Sequence, residues 1–232
     1  MKISGVIFDK DGTLFDFNAT WGAWAETMIA AETAGDHVLY MRLADRLGYD
    51  VKNRCFLPGS VVIAETVDVL ADAILEVLPN TTKSELISRM NAAAIDVPQV
   101  EAAPLKSFVN ELRELDLKVG VCTNDSEAPA RAHLAKSGVE NAFDFIAGFD
   151  SGFGGKPAPG QLLAFCDVTE LAPDQCVMVG DSTHDLEAGR AAGMYRVGVL
   201  TGPATKAELL PHAHIVLDSI ADLPDWVRSV RA

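Results

Sequence analysis

Asp9 and Asp11 stand two residues apart at the end of the apolar stretch Ile3–Phe8, and Gly12-Thr13-Leu14 follow at once. In a strand-like backbone, side chains two apart share a face, so the two carboxylates are expected to converge. Two adjacent anionic groups invite a cation, and hard oxygen ligands favour Mg²⁺. Gly12 lets the chain turn tightly because it tolerates positive φ. Asp and Gly are also ordinary turn residues after a strand, so this segment gains meaning only in company.

Three other segments supply the company, each expected just past a strand. The run Lys118–Cys122 leads into Thr123-Asn124-Asp125, a hydroxyl and an amide suited to an anion, although alone the tripeptide reads as a turn. The glycine- and proline-rich loop 152–159 carries Lys156, whose backbone Pro157 biases toward extension. A loop lysine is ordinarily solvated surface, but here it is a fixed cation in an acidic protein, and a phosphate needs one. The run Gln175–Val179 ends in Gly180-Asp181-Ser182-Thr183-His184-Asp185. Ser182 as N-cap with Asp185 at N3 resembles a capping box. Asp181 can ligate a metal while Ser182 and Asp185 start the helix and orient it.

The elements that must position these residues follow from periodicity. From Thr20 to Ile95 apolar positions recur at helical spacing, over Thr20–Ala34, His37–Leu47, Gly59–Leu78 and Thr81–Ile95. From Pro104 onward helices alternate with strands at 118–122, 144–147, 175–179, 195–200 and 214–217, which implies a parallel sheet with helices on both faces. The expected architecture is an α/β, Rossmann-like core of residues 1–16 and 99–232, with an all-helical insert of residues 17–98. The insert leaves the core directly after the acidic loop. A cap placed there would cover the site, exclude water and select substrate.

At 232 residues and 49% apolar, the chain can build one large core plus a smaller insert. Its net charge of −14 argues against nucleic acid and anionic membranes as partners, and an anionic substrate would need a local cation. The apolar segment 61–78 carries Glu65, Asp68, Asp72 and Glu76, which excludes a membrane span. No secretory signal is visible, and Cys55, Cys122, Cys166 and Cys176 form no Cys-x-x-Cys pair. Reduced thiols in a cytoplasmic protein are expected.

Taken together, Asp9-Lys10-Asp11-Gly12-Thr13, Thr123-Asn124, Lys156 in Gly-Lys-Pro-Ala-Pro, and Gly180-Asp181-Ser182-x-x-Asp185 resemble the motif set of the haloacid dehalogenase superfamily. Its phosphoglycolate phosphatase-like branch, with a helical first-type cap, is most similar. The resemblance implies a phosphatase of a small phosphorylated metabolite, with Asp9 as nucleophile forming an aspartyl-phosphate and Asp11 as general acid/base. It further implies Thr123 and Asn124 on phosphate oxygens and Lys156 between Asp9 and the phosphate. Mg²⁺ would be held by Asp9, the backbone carbonyl of Asp11 and Asp181, with Asp185 in or next to that shell. Lys10 departs from the apolar residue usual there, and is expected either to face solvent or to help neutralise the acids. Leu105 departs from a usual glycine, which concerns loop geometry.

The acid at position 11 disfavours dehalogenation and phosphonate hydrolysis. A phosphosugar mutase uses the same acids and stays open, and a non-catalytic binding module on the same fold is a weaker alternative. Neither the metabolite nor an oligomeric state can be read from the residues. Specificity is expected in the insert, where Asn18, Trp21 and Trp24 begin near the site; the two tryptophans, spaced i,i+3, are expected to pack one helix face. Lys52 and Arg54 are read as surface residues that could otherwise meet a second anionic group. His184, His212 and His214 are read as solvent-facing.

Overall fold

The computed structural model describes residues 2–78 and 80–231. Strand β1 (Gly5–Phe8) is buried along its whole length, and its alternation divides the core. Val6 and Phe8 pack with Phe108, Leu112 and Leu134 on one face. Ile7 packs with Phe165, Cys122 and Met178 on the other.

The chain then leaves the sheet. It forms α1 (Phe17–Thr33), α2 (His37–Arg46), the hairpin β2 (Tyr49–Asp50) and β3 (Cys55–Phe56), α3 (Val67–Leu75) and α4 (Lys83–Ile95). On its return it forms α5 (Leu105–Glu114), β4 (Lys118–Cys122), α6 (Glu127–Lys136), β5 (Phe145–Ala147), α7 (Gly160–Thr169) and β6 (Cys176–Gly180). The chain ends with α8 (Thr183–Ala192), β7 (Tyr195–Val199), α9 (Lys206–Leu209), β8 (Ile215–Leu217) and α10 (Leu223–Arg231).

Among the described residues the main sheet has six strands in the order β5-β4-β1-β6-β7-β8, and every pairing in it is parallel. Strand β1 is therefore flanked by β4 and β6. The loops leaving these three strands share one end of the sheet, the end where open α/β sheets bind ligands. The fold is the expected α/β sheet with helices on both faces. No helix among the described residues is long and apolar enough to cross a membrane.

Three elements differ from expectation. The insert is not wholly helical, because Tyr49 and Phe56 pair in an antiparallel hairpin. Its turn is fixed by Asp50, whose carboxylate accepts from the Lys52 and Asn53 amides at 2.9 and 3.0 Å. The helix expected over Gly59–Leu78 begins only at Val67, with Thr66 as N-cap. The β-branched run Val61-Val62-Ile63 resists helix and instead packs against the apolar centre of the insert. Helix α10, unanticipated, seats Leu223 and Val227 in the core.

The insert rests directly on the core. Asn124 Nδ2 donates to the Ala64 carbonyl at 2.8 Å, and Ser126 Oγ donates to Asn91 Oδ1 at 3.2 Å. Lys136 Nζ donates to the Ile95 carbonyl at 2.6 Å. Among the described residues, those of 17–98 add no strand to the main sheet and make up nearly all of a separate apolar cluster.

Candidate active site

Asp9 follows β1 directly, and Asp181 and Asp185 follow β6. Because β1 and β6 are paired in register, Phe8 opposite Val179, the three carboxylates are delivered to one spot. One oxygen from each lies within 4.8 Å of the others, and all three residues are buried. Lys156 arrives from the loop between β5 and α7. Its Nζ donates to Asp9 Oδ1 at 2.6 Å and to Asp185 Oδ1 at 2.5 Å, with the side chain 2% exposed. A buried ammonium so placed has exchanged water for charged partners, so its position is fixed.

The capping box expected at α8 is present. Ser182 Oγ accepts from the Asp185 amide at 3.4 Å, and Asp185 Oδ2 accepts from the Ser182 amide at 3.0 Å. Asp185 thus starts the helix with one oxygen and meets Lys156 with the other. Asp181 is fitted more tightly. Thr13 Oγ1 donates to it at 3.2 Å, and a Cβ on Gly12 (φ +84°) or Gly202 would fall within 2.3 Å of its carboxylate. Only glycine fits either position, since backbone must approach the carboxylate this closely.

The electrostatics show what this cluster lacks. Burial raises the Asp9 carboxyl to about 7 despite Lys156, with Asp185 and Asp11 adding to the rise. Burial likewise holds Asp181 well above the usual carboxylate range, reinforced by Asp185 and Asp9. For Lys156, burial opposes the charge, but Asp185 and Asp9 outweigh it and keep the ammonium above its ordinary value. Three buried carboxylates with one lysine leave excess negative charge. The donor set, all hard oxygens, fits Mg²⁺.

Asp11 adds no carboxylate to this group. Its oxygens receive Lys10 Nζ at 2.6 and 2.7 Å. Lys10 is 0% exposed, so of the two expectations the neutralising one describes its surroundings and the solvent-facing one is overturned. Its ammonium also stands 3.4 Å from Asp125 and 3.2 Å from His133 Nδ1, and lies over the Trp21 ring. Burial opposes this charge too, yet Asp11 and Asp125 outweigh it. Burial raises the Asp125 carboxyl to about 6.

His133 links Lys10 to the insert. Its Nε2 lies 2.7 Å from the Ala94 carbonyl, which can only accept, so Nε2 carries the hydrogen and Nδ1 is the acceptor facing Lys10. Burial and Lys10 push its pKa down to about 4, so the ring is neutral near pH 7. From about pH 6.5 to 4 the unfolded chain therefore binds a proton that the folded chain refuses, and stability falls as pH falls. The stability difference between the wild type and His133→Gln, from urea unfolding, should change by on the order of 3 kcal/mol across that window to the wild type's disadvantage. A flat difference would show that the ring is protonated when folded.

Asn124 differs in detail from expectation. Its Nδ2 bonds the Ala64 and Lys156 carbonyls, and its Oδ1 accepts from the Lys156 amide at 2.8 Å. The side chain therefore clamps the lysine loop to the insert. Thr123 is buried, and its Oγ1 accepts from the Asp125 amide at 3.1 Å.

Between the insert and the core lies a half-open cavity lined by Asp9, Asp11, Thr123, Asn124, Lys156, Asp181 and Asp185, and by insert residues. Its volume is about 80 Å³. Trp21 and Trp24 pack edge to face, as expected of an i,i+3 pair, with centroids 5.3 Å apart, and both also line the cavity. Lys52 and Arg54 are exposed, and Arg54 pairs with Glu26. His184 is half-buried rather than solvent-facing and lines the cavity. His214 is exposed, as expected, and stacks on Tyr195, whereas His212 is half-buried and sits 3.5 Å from Glu187. Sequence reading missed His133, Thr201 and Gly202. Thr201 Oγ1 donates to the Gly12 carbonyl at 2.7 Å, a contact spanning 189 positions that no local pattern announces.

A parallel α/β sheet with a carboxylate cluster and a buried lysine at its strand ends places this chain among Rossmann-like α/β proteins with an acidic site at the sheet's carboxyl edge. Residues 3–193 match the family model of haloacid dehalogenase-like hydrolases. The chain belongs to that family, in its phosphoglycolate phosphatase-like branch and on its phosphoric monoester hydrolase side. It is 31% identical to the fructose-1-phosphate phosphatase YqaB of Escherichia coli, over 85% of this chain and 97% of that protein. It is 36% identical to the phosphoglycolate phosphatase of Rhodospirillum rubrum, but over 52% of this chain and half of that protein's length. A crystal structure from Haemophilus somnus, described as a predicted phosphoglycolate phosphatase, superposes with a TM-score of 0.74 at 17% identity, over 98% of this chain and 99% of that one. That likeness concerns the fold alone.

Proposed function

We propose that this protein is a Mg²⁺-dependent phosphatase that hydrolyses a small phosphorylated metabolite through an aspartyl-phosphate on Asp9. The observation that carries the reading is the meeting of Asp9, Asp181, Asp185 and buried Lys156 beneath a half-open cavity. Asp9 and Asp181 are the residues proposed to hold Mg²⁺, with the Asp11 carbonyl, and Asp185 beside them. When bound, the ion supplies positive charge against the approaching phosphate.

A carboxylate nearing a phosphate dianion meets a repulsion of about 4 kcal/mol per charge pair at 4 Å and an effective dielectric near 20. Lys156, at 2.6 Å from Asp9, opposes part of it and fixes the direction of the remaining oxygen. Phosphoryl transfer asks mainly for such positioning and neutralisation. Asp9 attacks phosphorus, the phosphorus–alkoxide bond breaks, and the alkoxide takes a proton from Asp11. Asp11 then accepts a proton from water, whose oxygen attacks phosphorus and releases inorganic phosphate, restoring Asp9. The insert acts in this scheme as a cap that keeps other water away from the acyl-phosphate.

The test is release of inorganic phosphate from a panel of phosphorylated metabolites, with Mg²⁺ and with EDTA. Turnover that vanishes in EDTA and returns with Mg²⁺ is expected. Interconversion of sugar phosphates without net release would replace this reading by a mutase.

A further inference from the structure

Resting on the phosphatase reading, we infer that the ester this site takes carries an uncharged, apolar or aromatic alcohol with one neutral oxygen acceptor. A carboxylate-bearing or polyhydroxylated alcohol is the wrong chemistry for this cavity. Three observations point the same way.

The first is the wall. The insert lines the cavity with Phe17, Trp21, Trp24, Ile63, Leu70 and Met90, a surface that rewards burial of apolar area, and its polar side chains there are Glu65 and Asn91.

The second is charge. Among the described residues lining the cavity the one lysine or arginine is Lys156, already bonded to Asp9 and Asp185. Facing it are Asp9, Asp11, Asp125, Asp181 and Asp185, with Glu65 at the insert side beside His184. Four cations of the insert are paired elsewhere, Arg46 with Glu76, Arg54 with Glu26, Lys83 with Asp68 and Asp72, and Arg89 with Glu32, and neither Arg42 nor Lys52 lines the cavity. A second anionic group on the substrate would be buried without a partner among like charges.

The third is an orphaned donor. Trp24 is 4% exposed and lines the cavity, yet its indole Nε1 is buried with no hydrogen-bond partner. Buried tryptophan N–H groups normally find an acceptor. A small turn of the ring would open this N–H to the cavity, where an oxygen on the alcohol moiety would supply the acceptor and make Trp24 a specificity-determining residue.

The experiment compares kcat/KM for benzyl phosphate, 4-acetylbenzyl phosphate, phosphoglycolate and fructose 1-phosphate, all esters of alkyl alcohols. The two benzyl esters should exceed phosphoglycolate at least tenfold. Trp24→Phe, which keeps an aromatic ring but removes the N–H, should lower kcat/KM for the acetyl ester about tenfold more than for benzyl phosphate. Phosphoglycolate or fructose 1-phosphate equalling the benzyl esters, or Trp24→Phe depressing both benzyl esters alike, overturns the inference. Calorimetric binding of the same four esters to Asp9→Asn ranks the alcohols without turnover. If none is hydrolysed but the benzyl esters bind tightest, the phosphatase reading fails and the cavity assignment stands. If phosphoglycolate binds tightest, the cavity assignment fails whatever the turnover.

Discussion

Asp9→Asn is expected to reduce phosphate release by at least about a thousandfold while leaving the protein folded. Under the proposed mechanism Asp9 makes the bond to phosphorus, and a carboxamide of the same shape cannot. Loss of a reacting group that acts with its partners as a unit removes most of the catalysis at once. Stability should move the other way. In metal-free protein the Asp9 carboxyl lies near 7 against 3.8 in the unfolded chain, chiefly because it is buried. A carboxyl raised on folding binds more protons in the native state between those values, so stability falls as pH rises through that window. The gap corresponds to a handicap on the order of 4 kcal/mol as an upper bound at pH 8. Asp9→Asn removes this handicap, so the metal-free variant should melt at a higher temperature than wild type at pH 8. An inactive variant that melts lower would point to lost structure rather than lost chemistry.

Lys156→Met should be nearly as damaging to activity, by on the order of a hundredfold to ten-thousandfold, and should also destabilise the fold. Its ammonium stands 2.6 and 2.5 Å from Asp9 and Asp185, with the side chain 2% exposed. Removing one partner of a buried ion pair leaves its counterpart charged and unpaired, at a cost of about 3–5 kcal/mol. Here two carboxylates are left. The opposing route to neutrality is a divalent cation, so Mg²⁺ should raise the melting temperature of Lys156→Met by more than it raises that of wild type. Equal shifts in the two proteins would mean that the lysine and the metal do not share the same carboxylates. That result would weigh against the assignment of Asp9 as a ligand.

These two substitutions bracket what the site does with charge. One deletes an anion from a cluster that has too many, the other the cation that makes the cluster tolerable. Lys10 belongs to a second, adjacent set with Asp11, Asp125 and His133. Through His133 and the Ala94 carbonyl it ties the proposed acid/base to the seat of the insert.

The residues that determined most by themselves are the local ones. The alternation of helical segments with continuous apolar runs fixed the parallel sheet, because a strand buried on both faces between helical stretches has few other solutions. Turn residues and the Ser182–Asp185 capping box placed Asp9, Asp181 and Asp185 just past strand ends, because these signals act between neighbours three or four positions apart. Their resemblance to known motifs carried the assignment of roles. Only the tertiary structure decided which carboxylates meet, since strand order, β4-β1-β6, sets that and alternation does not specify order. It alone turned Lys10 inward to a histidine 123 positions away, brought Gly202 against Asp181, and left the Trp24 N–H unpaired in an apolar wall. Such contacts arise from packing between distant segments, and their cost or benefit exists only once water has been excluded between them.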